Sequence, residues 1–195
     1  MADPTNSKHV YIIHGYGATP ANHWFGWLQK RLAADGITAD ILEMPTPLSP
    51  NLQQWLEHLS SKAKLLNQDT YFVAHSLGCV SLLKYLLSAR PQEPLGGLVL
   101  VSGFIKPLPG LPMLDEFTQD QINYSEAAAL APKRAVIASK DDAIVPVALS
   151  KELAQVIHAD FHEVEHGGHF LDSDGFTTLP IAYDVLRDMM GHEAK

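Results

Sequence analysis

Short apolar runs alternate with longer stretches whose apolar residues recur every three or four positions. Residues 9–13, 37–42, a run opening at Thr70, and residues 98–101, 134–139 and 161–164 are rich in β-branched and aromatic side chains. Runs of this length and composition predict buried strands. Between them the spacing predicts helices. Residues 21–34 place Trp24, Trp27, Leu28 and Leu32 on one face, and a second helix does the same with Leu52, Trp55, Leu56 and Leu59. Leu77 to Leu87 is apolar without a breaker, another helix opens near Pro146, and residues 179–190 form a closing one. Strands alternating with helices imply an α/β fold. About six strands form a parallel sheet with helices on both faces, and chemistry gathers at the carboxyl ends of the strands.

The most informative stretch is Ala74-His75-Ser76-Leu77-Gly78, which joins the third strand to the third helix. A strand that reverses into a helix within one residue brings two backbones close together. Small residues are then needed at the flanks, and the serine is exposed at the tip in a strained conformation. This is the pattern of a nucleophile elbow, with Ala74 where glycine is more usual and His75 in the variable slot. Taken alone, the pentapeptide also fits a plain strand-to-helix turn with a capping serine.

Two later loops decide between these readings. After the fifth strand comes Ser139-Lys140-Asp141-Asp142-Ala143-Ile144-Val145-Pro146, and after the sixth His166-Gly167-Gly168-His169-Phe170. A buried carboxylate in the first loop would fix the tautomer of an imidazole in the second. Asp142 is preferred over Asp141, because Asp-x-x-Val-Pro puts the acid just before the helix that Pro146 opens. Asp141 is left to bind locally or cap. His169 is preferred as base over His166, which lies closer to the strand. The chain order Ser, Asp, His is that of the α/β-hydrolases. The turn His14-Gly15-Tyr16-Gly17-Ala18 would add an oxyanion hole from the backbone N–H groups of Tyr16 and Leu77, with His14 ordering the loop.

Composition narrows the field. The chain has 195 residues, 46% hydrophobic, with a net charge of -8 and a single cysteine. That length suits one domain over residues 1–195 with a sizeable core. The charge, with no Lys/Arg cluster, argues against nucleic acid or an anionic membrane as partner. No stretch is long enough to span a membrane, and Met1 to Pro4 lack the pattern of a signal peptide. The lone Cys79 cannot form an internal disulfide, so it is read as a buried apolar residue in a reducing cytoplasm. Trp24, Trp27 and Trp55 are read as core. Residues 103–130 are too long for a minimal crossover and form either a small lid over the serine or a surface loop. As a lid they would line an acyl pocket with Phe104, Leu114 and Phe117, joined by Phe170. One pattern points elsewhere. His162-Glu163-Val164-Glu165-His166 matches H-E-x-x-H, a zinc peptidase motif, but that motif needs a helix and these residues alternate as a strand.

The chain resembles the YdeN-like small serine hydrolases, which are grouped with the retinoblastoma-binding-protein-like esterases. The resemblance rests on Tyr11-Ile12-Ile13-His14-Gly15-Tyr16, Asn22-His23-Trp24-Phe25, Val73 to Cys79, Val101-Ser102-Gly103-Phe104, Ala138 to Asp142 and His166 to Leu171. It implies an α/β-hydrolase fold without a large cap, a triad of Ser76, Asp142 and His169, no cofactor, and activity on small-molecule carboxylic esters. Animal members have been linked to a pocket protein through L-x-C-x-E. Here Leu77-Gly78-Cys79-Val80-Ser81 lacks the glutamate, so that role is not implied.

Overall fold

The computed structural model describes residues 8–191, and the reading of Met1 to Pro4 lies outside them. Six strands form one sheet: β1 (His9–Ile13), β2 (Thr38–Leu42), β3 (Thr70–His75), β4 (Gly97–Val101), β5 (Arg134–Ser139) and β6 (Asp160–Val164). All are parallel, in the order β2-β1-β3-β4-β5-β6. The sheet grows outward from β1 in both directions, so the order reverses between β1 and β3. A crevice opens at the carboxyl ends of such a pair. The register is level there, with Ile13 opposite both Leu42 and Ala74.

Two-residue alternation sorts the side chains into two cores. Tyr11, Ile13, Phe72, Ala74, Leu98, Leu100 and Val136 face α2 (Leu52–Lys62), α3 (Leu77–Ala89) and α5 (Val147–Val156). Val10, Ile12, Tyr71, Val73, Val99, Val101, Ala135 and Ile137 face α1 (Phe25–Ala34) and α6 (Pro180–Met189). Every residue of β3 and β4 is buried, whereas the edge strands β2 and β6 are mostly half-buried or exposed. Central strands of parallel sheets are covered on both faces, which is why their sequences read as continuous apolar runs.

Two expectations, the start of the first helix and the burial of Trp27, need correction. Helix α1 starts at Phe25 rather than at residue 21, because His23 sits at φ 53° and breaks the helical path. Trp24 and Trp55 are fully buried, but Trp27 is only half-buried, its ring edge-on to Tyr183. Residues 103–130 are structured, with a 3-10 turn at Pro112–Phe117 and a short helix, α4 (Tyr124–Ala129). Asn123 caps α4 by accepting from the Glu126 N–H, an N-terminal signal that was present in the sequence. Among the described residues, no helix is long and apolar enough to cross a membrane.

Candidate active site

Ser76 stands between the last residue of β3 and the first of α3, with φ 55° and ψ -122°. A serine held at positive φ is strained, and its surroundings impose the geometry. Its N–H donates to the Val101 carbonyl at 2.9 Å, tying the elbow to β4. A Cβ at Gly78 would lie 2.8 Å from the carbonyl oxygens of both Ile13 and His14, so α3 could not leave the elbow with a side chain there. Ala74, two residues on the other side, points into the core beneath α3, where a methyl group fits.

The turn after β1 closes on the elbow from the side. A Cβ on Gly15 would meet Ser76 Cβ at 2.9 Å and the His75 carbonyl at 3.1 Å. The peptide leading to Tyr16 is therefore pressed against Ser76. The N–H of Tyr16 and that of Leu77 make no intramolecular hydrogen bond among the described residues. Buried His14 fixes this turn: its Nε2 accepts from the Met44 N–H at 2.9 Å, which leaves Nδ1–H to donate to the Gly15 carbonyl at 2.9 Å. Burial lowers its pKa, consistent with this neutral tautomer.

Three side chains form one hydrogen-bonded row. His169 Nε2 lies 3.0 Å from Ser76 Oγ, and His169 Nδ1 lies 2.8 Å from Asp142 Oδ2. All three are buried. The other carboxylate oxygen of Asp142 accepts from the N–H groups of Ile144 at 2.9 Å and Val145 at 2.8 Å, which aims Oδ2 at the imidazole. Since Asp142 accepts at Nδ1, the proton of the neutral ring belongs there, and Nε2 is free to accept from the serine hydroxyl.

The competing residues do something else. Asp141 Oδ1 accepts from the N–H groups of Gly167 at 3.0 Å and Gly168 at 2.8 Å, and from Ser139 Oγ at 2.5 Å. These bonds, led by that of Ser139, hold its carboxyl well below the usual carboxylate range. Asp141 therefore anchors the loop that carries His169. His166 projects outward with its side chain 88% exposed, and its Nδ1 reaches Asp141 Oδ2 at 3.3 Å. The loop has further supports that sequence reasoning missed. Asp174 Oδ2 accepts from the His169 N–H at 2.9 Å, and His75 Nε2 lies 2.9 Å from the His169 carbonyl.

A cavity of about 310 Å³ opens beside the row, lined by Ser76, His169, Tyr16, Pro109, Gly110, Leu111, Leu114, Ala143, Ile144 and Leu171. Leu114 reaches this lining. Phe104, Phe117 and Phe170 do not: all three are fully buried, the first two in the core beneath α3 and the last on the opposite side of the sheet. Residues 109–114 supply the wall instead, and Ile144 faces the cavity from the loop of Asp142.

The zinc pattern does not form a helix. His162 and Glu163 lie in β6, and four residues of extended chain span roughly 13 Å. Among the described residues, no group of three or more His, Cys, Asp or Glu side chains could hold a metal ion. Cys79 is buried within α3 and burial pushes its thiol pKa up, which leaves it inert.

Known proteins are similar in sequence and fold. The chain is 56% identical over 189 residues to the YdeN protein of Bacillus subtilis (strain 168), covering 97% of this chain and all of that one. The crystal structure of the ydeN gene product superimposes with a TM-score of 0.91, covering 95% of this chain and 100% of the other. More distant structures share the fold. Est1E from Butyrivibrio proteoclasticus has a TM-score of 0.70 at 15% identity, over 97% of this chain and 89% of its own. A Xanthomonas campestris protein of the α/β superfamily has a TM-score of 0.64 at 19% identity, over 94% of this chain and 98% of its own. The architecture is the α/β-hydrolase fold without a large cap. The serine hydrolase family model matches residues 10–188, nearly the whole chain. On that match and the identity to YdeN, the chain belongs to the serine hydrolase family.

Proposed function

We propose that this chain is a carboxylic ester hydrolase that works through an acyl-enzyme on Ser76. The observation that carries the reading is the row Asp142–His169–Ser76, with links of 2.8 and 3.0 Å, ending at an apolar cavity. Ser76 Oγ attacks the ester carbonyl carbon while His169 Nε2 takes its proton, and Asp142 stabilises the imidazolium that forms. The N–H groups of Tyr16 and Leu77 receive the developing oxyanion, and the N-terminus of α3 adds its favourable dipole. His169 then returns the proton to the leaving alcohol, and water activated by the same nitrogen releases the acid.

The cavity also bears on the substrate. Apart from His169 its lining carries no ionisable side chain except the Tyr16 phenol, and its 310 Å³ is at the lower end for small-molecule sites. An uncharged small ester suits it. The test is turnover of a graded panel of simple esters by the wild type and Ser76→Ala. The variant is expected to lose several orders of magnitude in kcat, as when a triad nucleophile is removed. Equal turnover by the two proteins would sink the reading. Failure of a well-folded wild type to cleave any ester in the panel would favour a non-catalytic binding module on a hydrolase fold.

A further inference from the structure

The elbow residue before Ser76 makes contacts that the reaction scheme above leaves unused. His75 is only 2% exposed and lies among the rings of His23, Trp24 and Phe25 at centroid distances of 5.8, 5.9 and 5.9 Å. Its own ring is 4.8 Å from that of His169. Its Nε2 is 2.9 Å from the His169 carbonyl oxygen, whereas its Nδ1 is buried with no partner among the described residues. A carbonyl can only accept, so the proton sits on Nε2 and the ring donates.

We propose that His75 is a positioning residue: its Nε2–H fastens the backbone of His169 to the nucleophile elbow and so keeps the imidazole aimed at Ser76. The inference rests on the triad reading above.

Three features support it. First, the loop needs external fastening, because His169 stands between two residues in left-handed conformations, Gly168 at φ 52° and Phe170 at φ 56°. With His75 in place, every polar group of His169 is held: Nδ1 by Asp142, Nε2 by Ser76, N–H by Asp174 and C=O by His75. Second, His75 immediately precedes Ser76, so base and nucleophile are referred to one short piece of backbone. Third, the surroundings keep His75 neutral. Burial pushes its pKa well below the ordinary histidine value, and nearby His169 pushes in the same direction. That matters because His169 must become a cation during attack, and a second cation 4.8 Å from it would oppose the step.

The wall around His75 also gives a purpose to Asn22-His23-Trp24-Phe25, which the reaction scheme does not use. His23 is itself pinned to the segment after the base: its N–H donates to Asp172 Oδ2 at 3.2 Å, and its Nδ1 accepts from the Asp172 N–H at 3.0 Å.

The experiment compares His75→Gln, which can donate from its amide to the same carbonyl, with His75→Leu, which fills the space and cannot. The leucine variant should lose about 10- to 100-fold in kcat, the scale of a small misplacement in an active site, with KM within about twofold of wild type. The glutamine variant should recover to within about fivefold of wild type, and phosphonylation of Ser76 by a fluorophosphonate should follow the same ranking. If His75→Leu does not fold, as judged by thermal melting, His75→Met replaces it in the comparison. Equal kcat for the donating and non-donating variants, or a change confined to KM, would overturn the role. A wild type that neither turns over esters nor labels at Ser76 would instead overturn the triad reading itself.

Discussion

Asp141 and Asp142 are neighbours with different tasks, and the difference lies in where each side chain points. Asp142 divides its oxygens between two backbone N–H groups and His169, while Asp141 fastens the loop that presents His169. Asp142→Asn should lower kcat/KM by about 10⁴-fold with little change in melting temperature, because the amide disturbs the tautomer while occupying the same space. Asp141→Asn should lower the melting temperature and reduce kcat much less. His169→Ala should be nearly inactive, whereas His166→Ala, altering an exposed side chain, should keep most activity. Steady-state kinetics and thermal melts on the four variants check this. An Asp141→Asn loss larger than that of Asp142→Asn would contradict the assignment. The Asp-x-x-Val-Pro spacing made Asp142 legible in the sequence. The anchoring by Asp141, Asp174 and His75 was not, since each depends on a carbonyl or N–H more than twenty residues away or on a loop whose path the sequence does not state. The three phenylalanines show the same limit: an aromatic residue near a site reads alike whether it faces a ligand or the core.

The elbow is set by how closely two elements approach. Its predicted small flanks are explained by separate contacts: α3 crosses the end of β1 at Gly78, while Ala74 is part of the core packing. Gly78→Ala should therefore destabilise by about 1–3 kcal/mol, the usual range for overpacking, because the atoms it meets are backbone carbonyls that cannot swing away. Ala74→Gly should fold, with a cost of about 0.5–1 kcal/mol from added chain freedom, and retain its activity. Urea unfolding of both variants distinguishes them. An unchanged midpoint for Gly78→Ala would show that α3 can shift on the sheet. The long strands and helices were legible because their burial repeats every two or 3.6 residues. The 3-10 turn at Pro112–Phe117 and α4 were not, being too short to show a period. The segment around them is held by distant contacts, such as Lys84 Nζ to the Asp120 carbonyl and Glu116 Oε1 to the Leu52 N–H.

At the scale of the whole molecule, the alternation of strand and helix predicted a parallel sheet, but it did not contain the strand order. Crossovers of similar length can lead to either side of β1, and it is the reversal there that sets Tyr16 beside Ser76. Folding also lowers the pKa values of His14, His23 and His75, with burial the leading cause in each case. Unfolded histidine titrates near pH 6.5. Below that pH the unfolded chain takes up protons that the folded one resists, so stability is fully present above about pH 6.5 and falls as the pH drops. His75 alone should contribute a slope of up to about 1.4 kcal/mol per pH unit between that point and its lowered pKa. Denaturant unfolding at pH 7.5 and 5.5 measures the slope, and His75→Gln should make it shallower. A pH-independent midpoint in the wild type would mean that these histidines charge without opening the fold.

The central claim is that Ser76 is the nucleophile and His169 its base, and intact-mass analysis after fluorophosphonate treatment tests it most directly. The wild type should gain one adduct per chain, mapping to the peptide that contains Ser76. Ser76→Ala should gain none, and His169→Ala should react far more slowly. An adduct on another residue, or equal labelling of wild type and Ser76→Ala, would contradict the account.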